Sequence, residues 1–137
     1  MMYLLDTSVW FRAASEPETV PDDLRKILDC RAAQFGLSAI SLWEVGKKHQ
    51  IGKLPLRKDL GVWLEEAVSN HINVLPLTPE IVADAMSLPD FPNRDPADEL
   101  IVATARAHRL TLLTTDTQLK YYSHAQIRYF TPVLDKR

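Results

Sequence analysis

The sequence predicts an α/β fold: a single domain over 1–137, built on a mostly parallel central sheet of about five short strands with helices on both faces. Short apolar runs of strand length alternate with longer segments of helical character. Strands separated by helices connect most simply as parallel neighbours. Pro55, Pro76, Pro79, Pro89, Pro92 and Pro96 punctuate the connections, and no linker long enough to divide two domains interrupts them. At 137 residues and 46% apolar, the chain has the material for one packed core.

In chain order, "MYLL" (2–5) reads as the first buried strand and 8–14 as a helix behind it. A second helix is expected over 21–33, running into the strand "AQFGLS" (33–38). Ser41 to Glu44 spells the capping pattern S-x-x-E, so a helix is expected over 41–51 with Glu44 in its first turn. Residues 58–70 form the next helix, "INVLPL" (72–77) the next strand, and 79–87 a short helix. In "RDPADELIVATA", Asp95 caps a helix over 96–109 whose first residue is Pro96, which puts Asp98 in the first turn. "LTLLT" (110–114), a helix at 116–122 and "IRYF" (127–130) complete the series.

Composition excludes several classes. The single cysteine, Cys30, allows neither an internal disulfide nor a cysteine-based zinc cluster, and fits a reducing, cytoplasmic setting. No apolar run approaches the roughly 20 residues of a bilayer span, so no membrane segment is expected. With a net charge of −2 the chain is no basic nucleic-acid coat, and polyanion binding has to come from a local patch. Four glycines and no G-x-G-x-x-G or G-x-x-x-x-G-K leave no phosphate-cradling loop.

Ligands of a parallel sheet gather beyond the carboxyl ends of its strands. Asp6 closes "MMYLLD" and Asp116 closes "LTLLTTD", while Glu44 and Asp98 stand at helix starts. Each alone has a plain structural explanation, because acids are favoured as N-caps and in first helical turns. Four of them converging on one crevice is harder to obtain from capping. Clustered carboxylates repel, which calls for a compensating cation, and a donor set of oxygens alone suits a hard ion, Mg²⁺ or Mn²⁺.

"LLDTSVW", "LSAISLWEVGKKHQIGKLPL", "RDPADELIVATA" and "LTLLTTDTQL" resemble, in order and spacing from Leu4 to about Tyr122, the motifs of the PIN domain, and closely those of VapC-type toxins of bacterial toxin–antitoxin pairs. The resemblance implies a Mg²⁺-dependent endoribonuclease acting on single-stranded or looped RNA, with Asp6, Glu44, Asp98 and Asp116 as catalytic and metal-binding residues. Ser8 falls where the family has a small polar residue near the metal, and Thr114 and Thr115 flank Asp116 as supports. A VapB-type antitoxin is the implied partner, its C-terminal segment lying in a groove near Trp10, Phe11 and Trp43 with a basic side chain against the acids. A homodimer is also expected. Two positions depart from the pattern D-P-F-D-R: Ala97 replaces an aromatic and Glu99 a base, which removes whatever contacts those side chains make in relatives.

A reason for the basic run after Glu44 follows. Setting the four acids aside leaves 14 acids against 16 Lys and Arg. Lys47, Lys48, Lys53, Arg57 and Lys58, with His49 among them, read either as a track for the RNA backbone or as a solvated helix face. His49, His71, His108 and His124 are expected in solvent rather than as ligands, and most aromatics, Trp63 included, in the core. A phosphoacceptor or phosphatase-like domain is the rival enzyme reading, although Asp6-Thr7-Ser8 lacks the second acid of a D-x-D motif. A metal-free interaction module on the same fold is the other.

Overall fold

The computed structural model describes residues 1–133. Five strands form one sheet in the order β3-β2-β1-β4-β5: β1 (Tyr3–Leu5), β2 (Phe35–Ser38), β3 (Ile72–Leu75), β4 (Thr111–Thr114) and β5 (Ile127–Tyr129). Every pairing is parallel, with Leu5 opposite both Leu37 and Leu113, and Thr114 opposite Tyr129. The helices are α1 (Thr7–Ser15), α2 (Asp22–Leu28), α3 (Ala39–Gln50), α4 (Leu60–Ala67), α5 (Pro79–Ala85) and α6 (Pro96–His108). Among the described residues, no helix is long and apolar enough to cross a membrane.

The apolar runs are continuous because the sheet is covered on both faces, and strand alternation sorts neighbours into two cores. Leu5, Leu37, Leu113 and Phe35 enter one core with Val9, Trp10, Leu24, Val45 and Trp63. Leu4 and Leu112, one residue away, enter the other with Leu75, Ile101, Val102, Ala105 and Tyr122. Gly36 faces this second core, where a Cβ would come within 3.0 Å of Leu75 and 3.2 Å of Leu4. Leu75 and Leu4 can pack over the sheet centre as they do because no side chain stands at Gly36.

Among the described residues, five of the six α-helices start where a short polar side chain occupies a backbone N–H, and α2 starts after Pro21 without one. Asp6, Ser38, Asp59, Thr78 and Asp95 cap α1, α3, α4, α5 and α6. The capping pattern read at Ser41–Glu44 is not the start of α3. Ser38, the last residue of β2, is the cap, accepting from the Ile40 N–H, so the helix begins two residues earlier and Glu44 sits beyond its first turn. Ser41 is fully buried and shares a 2.8 Å hydroxyl–hydroxyl bond with Thr7 instead.

The helix expected over 116–122 is replaced by consecutive three-residue turns, in which the N–H groups of Leu119, Lys120 and Tyr122 bond to the carbonyls of Asp116, Thr117 and Leu119. Thr117, Tyr121 and Tyr122 are indifferent helix formers, and buried Leu119 and Tyr122 pin the segment as turns. The helix expected to reach residue 33 ends at Leu28, leaving Cys30 exposed in a turn. A 3₁₀ turn at Pro17–Thr19 is an additional element.

Candidate active site

At the carboxyl edge of β1 and β4 a cleft of about 390 Å³ is lined by Asp6, Glu44, Asp98 and Asp116, together with Thr7, Ser8, Phe11, Arg12, Glu16, Lys48, Leu54, Asp95 and Thr115. The four acids arrive on four different elements, and each is held through a different device.

Asp6 leaves β1 and caps α1. One carboxylate oxygen accepts the Thr7 N–H at 2.9 Å, and the other accepts the Thr114 hydroxyl at 2.6 Å and the Ser8 hydroxyl at 3.4 Å. Burial nevertheless raises its pKa from 3.8 to about 6, because desolvation outweighs these bonds and Glu44 and Asp116 add repulsion. Thr114 is itself fully buried, and its oxygen also accepts the Asp116 N–H at 3.0 Å, so one hydroxyl joins two acids from adjacent strands. Thr115 donates to Ser8 at 2.9 Å, a second tie between the same two elements.

Glu44 is buried, with one oxygen 3.2 Å from Lys48 Nζ one turn along α3. Its other oxygen, Oε1, is buried without a hydrogen-bond partner among the described residues. An ionised carboxylate oxygen left this way is costly, and a cation is what would satisfy it. Asp98 occupies the first turn of α6, where Asp95 serves as the cap and accepts the N–H groups of Ala97 and Asp98. Desolvation, then the charges of Asp6, Asp95 and Asp116, push Asp98 up to about 7, against one bond from Asn93 at 3.1 Å. Asp116 accepts the Gln118 N–H at 2.9 Å.

Among the described residues no three Asp, Glu, His or Cys side chains are already closed to metal-ligand geometry. The chemistry of the donors still fits a divalent ion: carboxylate oxygens only, two of the acids driven toward neutrality by burial and mutual repulsion, and an unpartnered Glu44 oxygen at the same cleft.

Residues beyond the motifs build the site too. Asn93 donates to Asp98 and, at 3.0 Å, to Gln118, so one amide spans the segment before α6 and the turn after β4. Thr7 and Ser41 tie α1 to α3. Arg12 lines the cleft, and its helical spacing from Ser8 is a signal the sequence offered. Ala97 is buried and shows no side chain to the cleft, and Glu99 is half-buried.

The basic run does not form one track. Lys48 faces the cleft and Glu44, and Lys47 bonds Gln50 at 2.8 Å. Lys53, Arg57 and Lys58 line a separate groove of about 970 Å³, with Lys58 paired to Glu66. His49 is half-buried rather than in solvent, its Nδ1 2.9 Å from the Leu54 carbonyl, whereas His71, His108 and His124 are exposed. The groove is floored by Trp10, Phe11, Trp63, Leu54 and Leu56. Trp10 and Trp63 meet edge to face at 5.1 Å, and their ring N–H groups donate to the Ala67 carbonyl at 2.9 Å and the Ser15 hydroxyl at 2.8 Å. Phe11, Glu16 and Leu54 line both groove and cleft, so the two hollows adjoin. Trp43, 59% exposed, lines neither.

Comparison with known proteins bears on the family. Residues 3–125 match the model of the PIN domain family. The chain is 30% identical to Ribonuclease VapC22 of Mycobacterium tuberculosis over 121 residues, covering 88% of this chain and 92% of that protein. Among solved structures it is similar to VapBC2 from Rickettsia felis bound to a DNA fragment from their promoter, with a TM-score of 0.72 at 18% identity over 94% of this chain and 98% of that one. FitAcB from Neisseria gonorrhoeae superimposes with a TM-score of 0.66 at 25% identity, over 92% of this chain and 96% of that one. The five-stranded parallel sheet, the four acids at its carboxyl edge and a match spanning nearly the whole chain lead to one conclusion: this chain belongs to the PIN domain family.

Proposed function

We propose that the chain is a divalent-metal-dependent endoribonuclease, the toxin of a VapBC-type toxin–antitoxin module that cleaves RNA and arrests growth until an antitoxin neutralises it. The observation that carries this reading is the convergence of Asp6, Glu44, Asp98 and Asp116 on one cleft, with the unpartnered Glu44 oxygen among them. The ribonuclease similarity over most of the chain supports it.

Mg²⁺ or Mn²⁺ bound by these carboxylates offsets the negative charge that develops on a phosphodiester during cleavage and lowers the pKa of water. The chain's own contributions follow from their bonds. Thr114 and the Thr7 N–H fix both oxygens of Asp6, so its carboxylate is oriented before any ligand arrives. Asn93 and the Gln118 N–H orient Asp98 and Asp116 through one oxygen each. Ser8 stands between Asp6 and Thr115 as a further hydroxyl at the cleft. Lys48, half in solvent, balances Glu44 and lies where the backbone of an approaching RNA needs a cation.

The adjoining groove suits the C-terminal segment of a VapB-type antitoxin, because a helix laid on its aromatic floor ends beside Phe11 and Leu54 at the acid cleft. We further propose a homodimer, for which the exposed Val82 and Met86, one turn apart on and just after α5, offer apolar surface, and a cytoplasmic setting.

Incubating the purified protein with total RNA, with and without Mg²⁺, and mapping new 5′ and 3′ ends tests the activity. Discrete metal-dependent cuts that vanish in Asp98→Asn support it. RNA left intact with Mg²⁺ and with Mn²⁺, in protein shown to be folded, overturns it.

A further inference from the structure

The turn after β4 carries a cluster that the acid site does not use. Lys120 Nζ lies 5.3 Å from the centre of the Tyr121 ring and 4.8 Å from that of Tyr129, and the Arg128 guanidinium lies 5.2 Å from that of Phe130. All three distances fall within the range in which a cation is attracted to a ring face. Tyr121 is 83% exposed, the most exposed large aromatic among the described residues; Lys120 is exposed beside it, Tyr129 is half-buried, and Arg128 is exposed on the other face of β5. Neither cation makes an ion pair with an acid among the described residues. Two tyrosines and Lys120 thus share a surface at the edge strand β5, whereas Arg128, alternating with Tyr129 along the strand, lies with Phe130 on the other face of the sheet.

Three features make this surface more than a stray exposed residue. The turn is firmly seated: Leu119 is fully buried, and Tyr122 is buried with its hydroxyl donating to the Pro89 carbonyl at 2.7 Å. Tyr121 is therefore held outward between two buried anchors. Tyr129 pairs in register with Thr114, whose hydroxyl holds Asp6, so the cluster stands one strand over from the acids. Finally, Tyr121 follows Asp116 by only five residues, a span of at most about 17 Å even if fully extended, and here folded into turns.

We propose that Tyr121 and Tyr129, with Lys120 between them, form a stacking platform for single-stranded RNA flanking the phosphodiester at the acid cleft. An exposed aromatic face accepts any base, and a cation beside it meets the adjacent phosphate, which is the composition that binds single strands without base readout. An acidic cleft in a chain of net charge −2 gives RNA little reason to dwell, so holding it falls to such neighbouring surfaces. The proposal rests on the ribonuclease reading and adds where the substrate strand runs.

The test measures binding of the full chain to a labelled, mixed-sequence single-stranded oligoribonucleotide in EDTA, and cleavage kinetics with Mg²⁺, for Tyr121→Ala, Tyr121→Phe and Lys120→Ala. Tyr121→Ala should weaken binding by roughly 5- to 150-fold, the loss of one stacked base, and raise KM with kcat unchanged. Tyr121→Phe, which keeps the ring face, should bind as the parent does. Lys120→Ala should flatten the salt dependence by about 0.7 log unit. Circular dichroism should show all three folded, since both side chains are exposed. Wild-type affinity and KM in Tyr121→Ala overturn the platform while leaving the ribonuclease reading standing, as does a Tyr121→Phe variant as weak as Tyr121→Ala. A parent chain that neither binds nor cuts RNA overturns both.

Discussion

The acid cleft and the aromatic groove adjoin, sharing Phe11, Glu16 and Leu54, yet they are built on opposite principles. The cleft gathers charges that the fold would be more stable without: a buried Asp6, an Asp98 driven toward neutrality and a Glu44 oxygen with no partner among the described residues. In the groove, Trp10 and Trp63 fill the core and satisfy their ring N–H groups on the backbone and on Ser15. Strain is concentrated in the first region, whereas the second is a well-packed core with Phe11, Leu54 and Leu56 half-buried at its surface. Substitutions in the two should therefore move stability in opposite directions.

The largest effect is expected within one helical turn of α6. Asp98→Asn removes the charge proposed to ligate the metal and should reduce RNA cleavage on the order of a thousandfold or more, while easing the repulsion among Asp98, Asp6, Asp95 and Asp116. Asp95→Asn, three residues earlier, replaces one good cap with another and should leave most activity and stability. Cleavage assays with circular dichroism on both variants decide it. A dead, folded Asp95→Asn beside an active Asp98→Asn would reverse the assignment of the ligand.

Stability measurements sharpen the contrast between the regions. Trp63→Ala opens a cavity beneath the groove and should cost about 3–5 kcal/mol in denaturant unfolding. Asp6→Asn should do the reverse in EDTA, and only over part of the pH range. Asp6 has its pKa raised from 3.8 to about 6, so between those values the folded chain holds more proton than the unfolded one. Stability of the metal-free protein should thus fall as pH rises from about 4 to 7, by roughly 3 kcal/mol from this residue, with the full cost present at higher pH and none below 4. Asp6→Asn should flatten that slope, and Mg²⁺ should offset it near pH 8. A parent whose EDTA stability climbs steadily from pH 4 to 8 would show that the cleft is not strained.

Asn93 extends the comparison to residues that hold ligands rather than serve as them. Asn93→Ala frees Asp98 and uncouples it from Gln118, and such outer partners typically contribute 10–100-fold in metal affinity or activity. The expected readout is a Mn²⁺ thermal-shift titration displaced by roughly that factor, with the metal-free midpoint little changed. An unchanged titration would reduce Asn93 to a loop tie.

How much of this was legible in the sequence differs between the two regions. Asp6 and Asp116 are readable because a strand end dictates where the next side chain goes, and Asp95 because Pro96 marks the first residue of α6. Glu44 was located by a capping pattern that the fold does not use: Ser38 caps α3, and Ser41 bonds Thr7 from another helix. Asn93 and Gln118 meet across 25 residues, a contact no local pattern encodes. The groove is harder still, since its wall comes from α1, the 53–58 segment and α4, and only the tertiary packing decides that Trp10 and Trp63 join while Trp43 faces solvent. The helix expected over 116–122 gave way to turns that the burial of Leu119 and Tyr122 seats.

The smallest expected effect separates the two regions by charge. Along the sequence Lys48 and Lys53 belong to one basic run, but Lys48 faces the acid cleft, 3.2 Å from Glu44, whereas Lys53 lines the aromatic groove. If RNA follows the cleft, Lys48→Met should weaken binding in EDTA and flatten its salt dependence by about 0.7 log unit, the share of one phosphate contact on a single strand. Lys53→Met should leave RNA binding and its salt slope as they are. Methionine keeps most of the stem of each side chain, so lost packing is not mistaken for lost charge. Equal slopes in the two variants would mean that the strand crosses both hollows, and that an antitoxin segment in the groove competes with substrate along its length rather than only at the acids.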